Sequence, residues 1–300
     1  MNNKRFYGIT FAIWLGLVSF TSAAGDKLSV VSWNLEWLTL QPVSHIETSQ
    51  RNPADFAALA DHFAAMDVDV LAFQEVDDEL AIKKVVGQGY NIWFSDRAKP
   101  ASRYRQFDDI NQYTGFAIRS TIPVADKPDF PLDDSSNSKL RFASYVVLYP
   151  NSPRPIHLLS VHLKAGCSGA YKNSRHCRTL KGQAQRVNQW LSEREANREA
   201  YILLGDFNHN LAYNGDWLWR DLTQGTQASL VSQSTPALCK VRSRNNRGKT
   251  HQFRSLIDHI IVGGVNVERR DVRQIAYPVQ KVLDFQLSDH CPIQAQVGLK

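Results

Sequence analysis

Tyr201-Ile202-Leu203-Leu204-Gly205-Asp206-Phe207-Asn208 runs from an apolar strand straight into a carboxylate and an amide. The same grammar recurs five more times. The other segments are Ser32-Trp33-Asn34-Leu35-Glu36, Phe73-Gln74-Glu75-Val76, Ser160-Val161-His162-Leu163, Ile257-Asp258-His259-Ile260 and Ser288-Asp289-His290-Cys291-Pro292. A buried strand does not carry such groups cheaply, because an unpaired buried charge is costly. If the strands share a sheet and these groups converge at one end, they make a site.

Working outward, short β-type runs alternate with helical patterns. Leu28–Trp33, Val68–Phe73, Gly115–Ile118, Phe142–Leu148, Ile156–Val161, Tyr201–Leu204 and Leu256–Val262 read as strands. Asn52-Pro53 reads as a helix start, with Phe56, Leu59, Phe63 and Met66 at helical spacing behind it. Gly182–Arg198 reads as a second helix with Ala184, Val187, Trp190 and Leu191 on one face. The mixture implies an α/β (α+β) domain with a sheet core and outer helices. No repeat or linker divides it.

The 300 residues hold 43% hydrophobic and 21% charged side chains, which excludes a disordered chain. The net charge of +6 favours an anionic partner. Lys4 and Arg5, the uncharged run Tyr7 to Phe20 and the small residues Ser22-Ala23-Ala24 have the order of a secretory signal peptide over residues 1–24. The apolar run is shorter than the ~20 residues that span a bilayer, so cleavage is expected rather than a retained anchor. The domain is then residues 25–300 of an exported, periplasmic or secreted protein, with a monomer as the default. Its charge is still +4, 33 basic residues against 29 acidic. Export permits disulfides. Cys167 and Cys177 stand ten apart in a polar stretch and are expected to pair. Cys239 and Cys291 are either a second pair or two free buried thiols. No Cys-x-x-Cys points to thiolate zinc.

Asn34, Glu75, Asp206 and Asp289 are hard oxygen donors suited to Mg²⁺, Mn²⁺ or Ca²⁺. A histidine moves protons near neutral pH, and an Asp bonded to it fixes its tautomer. Together they describe metal-assisted phosphoester hydrolysis.

The six segments, in this order, resemble the endonuclease/exonuclease/phosphatase superfamily with its deoxyribonuclease I-like fold. The resemblance runs from about Leu28 to Val297. It implies a four-layer sandwich, two mostly antiparallel sheets face to face with helices outside. It implies Glu75 as the principal metal ligand, with Asn34 and Asp289 at the metal end and Mg²⁺ or Mn²⁺ as the cofactor (Ca²⁺ also fits). Asp206 and Asn208 position metal, water or phosphate. His290 is the general base, oriented by Asp258, and His162 assists the leaving group. Glu36 is peripheral, and His259, alternating against Asp258, points away.

His162 in Ser-Val-His-Leu separates the chain from the abasic-site endonuclease branch. Basic residues cluster at Arg97–Arg105, Lys172–Lys181 and Lys240–Lys249, all in expected loops. Arg103, Arg105, Arg242 and Arg244 are expected to contact a nucleic-acid backbone. The expectation is a low-specificity nuclease, DNA first and RNA next. The alternative is a sphingomyelinase-like or other small-molecule phosphodiesterase or phosphatase on the same fold. Two departures stand out. Asn111 occupies the position of the carboxylate that pairs with the first histidine, leaving Asp109 or an amide to orient His162. Asp77 stands where a DNA-cutting enzyme would favour a basic residue.

Overall fold

The computed structural model describes residues 27–299 apart from Arg244 and Arg247. The expected signal peptide, residues 1–24, and Arg244 therefore lie outside the described residues. The first half holds β1 (Lys27–Leu38), α1 (Pro53–Ala64), β2 (Val70–Val76), α2 (Glu79–Val86), β3 (Tyr90–Phe94), β4 (Tyr113–Arg119), β5 (Val124–Pro131) and β6 (Phe142–Leu148). Then come β7 (Ile156–His162), α3 (Arg175–Ala196), β8 (Ala200–Asp206), α4 (Trp217–Thr223), β9 (Ser229–Leu230), β10 (Lys240–Arg242) and β11 (Thr250–Gln252). The last are β12 (Asp258–Gly263), β13 (Asn266–Val267), β14 (Arg273–Gln274), α5 (Val279–Asp284) and β15 (Ile293–Gly298).

One large sheet runs β13-β15-β1-β2-β4-β3, with β14 also on β15, the other large sheet runs β5-β6-β7-β8-β12-β9, and β10 and β11 pair antiparallel as a separate hairpin. β1–β2 and β7–β8 are parallel, so both sheets are mixed. Strand alternation builds the layers. Leu28 and Val30 of β1 meet Leu158, Ile202, Leu204 and Ile260 of the other sheet in a dry middle layer. Val31, Trp33 and Leu35 face the opposite way, onto Phe56, Leu59 and Ile82 of α1 and α2. Leu159, Val161 and Leu203 pack under Leu180, Val187 and Leu218 of α3 and α4. Helix, sheet, sheet and helix form the expected sandwich.

The same alternation delivers the polar residues. Counting in twos from Val30, Leu158 and Leu204 reaches Asn34, His162 and Asp206, and Asp258 shares a face with Ile260. Register then aligns them sideways, with His162 opposite Asp206 and Asp206 opposite Asp258. Gly205 lets β7 and β8 approach. A Cβ there would stand 2.0 Å from the Val161 carbonyl oxygen, and its φ is +156°.

α1 begins as the sequence implies. The Asn52 side chain accepts from Ala54 and Asp55 N–H while the Asp55 carboxylate accepts from Asn52 N–H. α3 begins seven residues before Gly182. The Ser174 hydroxyl caps it and the disulfide of Cys177 holds its first turn, so Gly182 is simply an interior helical glycine. Most of the Lys172–Lys181 cluster is therefore helical, not loop. Both cysteine pairs form disulfides, Cys167–Cys177 and Cys239–Cys291. The second ties the start of β10 to the residue after His290.

Candidate active site

The polar end of the middle layer opens into a cleft of about 1090 Å³. Asp206 is its hub. Oδ2 accepts from Asn34 Nδ2 and Asn208 Nδ2, both at 3.0 Å, and Oδ1 accepts from Asn208 N–H at 2.7 Å. The same Oδ2 lies 3.5 Å from His162 Nε2 and 3.9 Å from His290 Nε2. Asn34 Nδ2 also donates to Glu75 Oε1 at 3.1 Å, which is 3.5 Å from His162 Nε2. His290 Nδ1 pairs with Asp258 Oδ2 at 2.8 Å. Asp289 lies on the same rim, its N–H donating to Glu36 Oε2 at 2.9 Å. All eight residues expected for chemistry or metal binding thus meet in one place.

Local backbone makes this possible. By period, Glu75 belongs with Phe73 on the helix side. A register shift after Phe73 and a φ of +57° at Glu75 swing the carboxylate back to Asn34. A second shift, in β1, puts Glu36 and Trp37 at φ 45° and 54° and turns both into the cleft. Asn208 is also left-handed, at 51°. Such strain clusters where surrounding structure fixes function. The segment carrying Asp289 and His290 is pinned from behind. Ser288 Oγ donates to Asn34 O, and Tyr277 OH donates to His290 O at 2.8 Å. The buried Arg51 guanidinium bonds the carbonyls of Leu35, Gln286 and Leu287.

The two histidines carry different charge. Burial pushes His162 well below the usual histidine range, and Arg141 adds to it. Burial also pulls on His290, but Asp258, Asp206 and Asp289 outweigh it and hold its pKa well above that range. Burial raises Asp206 to about 7 and, with Asp289, Glu36 to about 8. It raises Glu75 as well. Crowded buried carboxylates of this kind are stabilised by a cation. Glu75, His162 and Asp206 offer ligand atoms within 4.8 Å of one another, as do Asp206, Asp258 and His290. Asn34, Glu36, Glu75 and Asp289 add an all-oxygen set that fits a hard divalent ion.

Sequence reading missed three members. Arg141 and Lys164 line the cleft, and the Arg141 charge acts on Glu75 and Asp206. Arg141 Nη2 donates to Leu163 O at 2.8 Å. Lys164 follows His162 by two, a same-face spacing that would have flagged it. Glu36, read as peripheral, holds Asp289.

The arginines chosen from sequence are placed differently. Arg103 faces Asp108 at 3.8 Å, and Arg105 lies over the Tyr104 and Phe142 rings; neither lines the cleft. Arg242 lines it, but its Nε and Nη2 bond the carbonyls of Val282, Leu283 and Phe285 around the end of α5. Arg97 is buried and gives two hydrogen bonds to Asn111 Oδ1. This corrects the expected orienting partner of His162. Asn111 is taken by Arg97, Asp109 pairs with His45, and His162 Nδ1 has no partner among the described residues. Asp77 is a staple, accepting from Asn111 N–H and Thr39 Oγ1. His259 lies on the far face, bonded to Leu211 N–H and Ser232 Oγ.

A model of the endonuclease/exonuclease/phosphatase family matches residues 31–290. The chain belongs to that family. This family member is a phosphoester hydrolase, and such enzymes are generally dependent on a divalent metal. Curated proteins give no significant sequence match. Among solved structures, TDP2 from Caenorhabditis elegans is similar at 17% identity, with 91% of this chain and 75% of that one covered and a TM-score of 0.60. A mannosyl-6-phosphatase from Bacteroides thetaiotaomicron is similar at 14% identity, covering 90% and 99%, TM-score 0.60. A family member from Bacteroides vulgatus is similar at 12%, covering 92% and 100%, TM-score 0.63. These likenesses show the shared fold.

Proposed function

We propose that this hydrolase is an exported endonuclease of low sequence specificity that cuts DNA, with RNA the second polymer to test. The observation that carries the reading is Asp206 between two histidines, one neutral and one cationic, with Arg141 and Lys164 on the same cleft. Anionic substrate and anionic carboxylates share that cleft only if cations offset both. Asn34, Glu75 and Asp289, with Glu36 behind Asp289, would hold a divalent ion, Mg²⁺ or Mn²⁺. Bound there, it polarises a phosphoryl oxygen and offsets charge developing in the transition state.

The chain's own groups divide the remaining work. Arg141 and Lys164 draw the phosphate in. His162 is neutral, and its Nε2 faces two carboxylates, so the proton sits there and assists the leaving oxygen by hydrogen-bond donation, staying on the ring. His290, oriented by Asp258, exchanges a proton with the attacking water. Neutralising the carboxylates near His290 weakens the field that keeps it protonated, which brings it towards the range of a base. Asp206 and Asn208 position the water and the phosphate. Phosphate contacts carry no sequence information, and among the described α-helices only the six-residue α5 lines the cleft, so low specificity follows. Two disulfides support a site of action outside the cytoplasm.

Supercoiled plasmid with purified protein tests the reading. Nicked and then linear DNA should form with Mg²⁺ and not with excess EDTA, and the rate should fall steeply with added salt. Intact plasmid with metal present and protein folded would reject DNA. RNA, and then sphingomyelin and small phosphodiesters, would follow.

A further inference from the structure

Trp37, Phe253 and Phe285 line the same cleft as Glu75 and Asp206. A metal and a phosphate need none of them. Phe253 is 41% exposed, immediately after β11, and Trp37 and Phe285 are half-buried. The Trp37 indole N–H donates to no group among the described residues. Trp37 reaches the cleft only because β1 breaks register and two consecutive non-glycine residues adopt positive φ. A bulky residue holds such a conformation at a cost that packing elsewhere must offset. The β10–β11 hairpin is tethered too. Cys239–Cys291 fixes its base beside His290, and Arg242 bonds three carbonyls of the α5 end that carries Phe285. Two separate devices therefore hold aromatic faces beside a phosphoester centre.

We infer that Trp37, Phe253 and Phe285 form a subsite for a planar ring attached to the bound phosphate, a nucleobase in the reading above, on which this inference rests. Aromatic faces stack on any base, so the subsite adds affinity without sequence preference. It also favours a nucleotide whose base is free to leave a duplex stack, at an end, a nick or a single strand.

The test is equilibrium binding, which needs no turnover. Thymidine 5′-monophosphate and 2-deoxyribose 5-phosphate are titrated into the protein with Mg²⁺ present. The nucleotide should bind roughly tenfold tighter or better, the range in which base–aromatic stacking falls. Trp37→Ala should remove most of that advantage, Trp37→Phe should restore much of it, and the exposed Phe253→Ala should reduce it without affecting folding. Sugar phosphate affinity should stay unchanged in all three. Equal affinities in the wild type, or an advantage untouched by both alanine variants, would overturn the subsite. Hydrolysis is followed in parallel. Turnover without a base advantage refutes the subsite and leaves the chemistry standing. A base advantage without any phosphoester turnover does the reverse.

Discussion

His162 and His290 stand on either side of Asp206, 3.5 and 3.9 Å from the same oxygen, yet their proton affinities diverge. The difference lies in what each ring has behind it. His290 Nδ1 bonds the Asp258 carboxylate and has Asp289 alongside. His162 Nδ1 has no partner among the described residues, and Arg141 and Lys164 bear on it. Either side of one carboxylate, the same side chain is made cationic or neutral by its neighbours. Like groups pushed apart in proton affinity in this way mark a site built to handle protons.

The sharpest way to break this contrast is to remove its parts. His290→Ala should lower the rate on any cleaved phosphodiester by about 10²–10⁴-fold with folding intact, the range for a positioned acid or base. A smaller loss than tenfold would mean that His290 moves no proton. Asp258→Asn should cost less, on the order of 10–10²-fold, and lower the His290 pKa as followed by NMR of the ring protons. A cation contrast comes next. Arg141→Ala should raise KM by roughly tenfold, as loss of a charge-assisted phosphate bond does. Arg103→Ala, outside the cleft, should stay within about twofold. Equal effects would move substrate onto the outer loops.

The smallest effects are on stability, and their signs differ. Folding raises the His290 pKa, so its contribution is present below about pH 6.5 and is lost as pH rises through the folded value. Folding lowers the His162 pKa, so stability is lost as pH falls below about 6.5, where only the unfolded chain takes the proton. In EDTA, His162→Gln should therefore gain urea resistance relative to wild type on going from pH 8 to pH 5, and His290→Gln should lose it. Shifts of the same sign in both would refute the charge assignment. The disulfides, which close sequence separations of 52 and 10 residues, give a last comparison. Loop entropy assigns about 4 kcal/mol to Cys239–Cys291 and about 3 kcal/mol to Cys167–Cys177. Serine pairs at each, compared by urea unfolding, check that order.

The catalytic end of the sandwich was legible because period-two strands announce which residues share a face. Asn34, His162, Asp206 and Asp258 needed only counting from Val30, Leu158, Leu204 and Ile260. Glu36 is on that count too, two after Asn34, yet was read as peripheral; Glu75 escapes it, since positive φ at a register shift re-aims it, and only the run of motifs pointed to it. Arg141 was invisible for another reason. It stands next to Phe142 in sequence, and its relevance comes from Glu75 and Asp206, which chain distance hides. Arg97 and Arg242 show the converse, cations that look free in sequence and hold Asn111 and the end of α5 instead. Gly182 concealed seven residues of α3 that a serine cap and a disulfide stabilise.

The most direct test of the central claim is one assay, hydrolysis of bis(p-nitrophenyl) phosphate by wild type and Asp206→Asn with Mg²⁺ and with EDTA. The hub account predicts turnover only by wild type with the metal present. Turnover that survives either EDTA or the loss of the Asp206 carboxylate would contradict it.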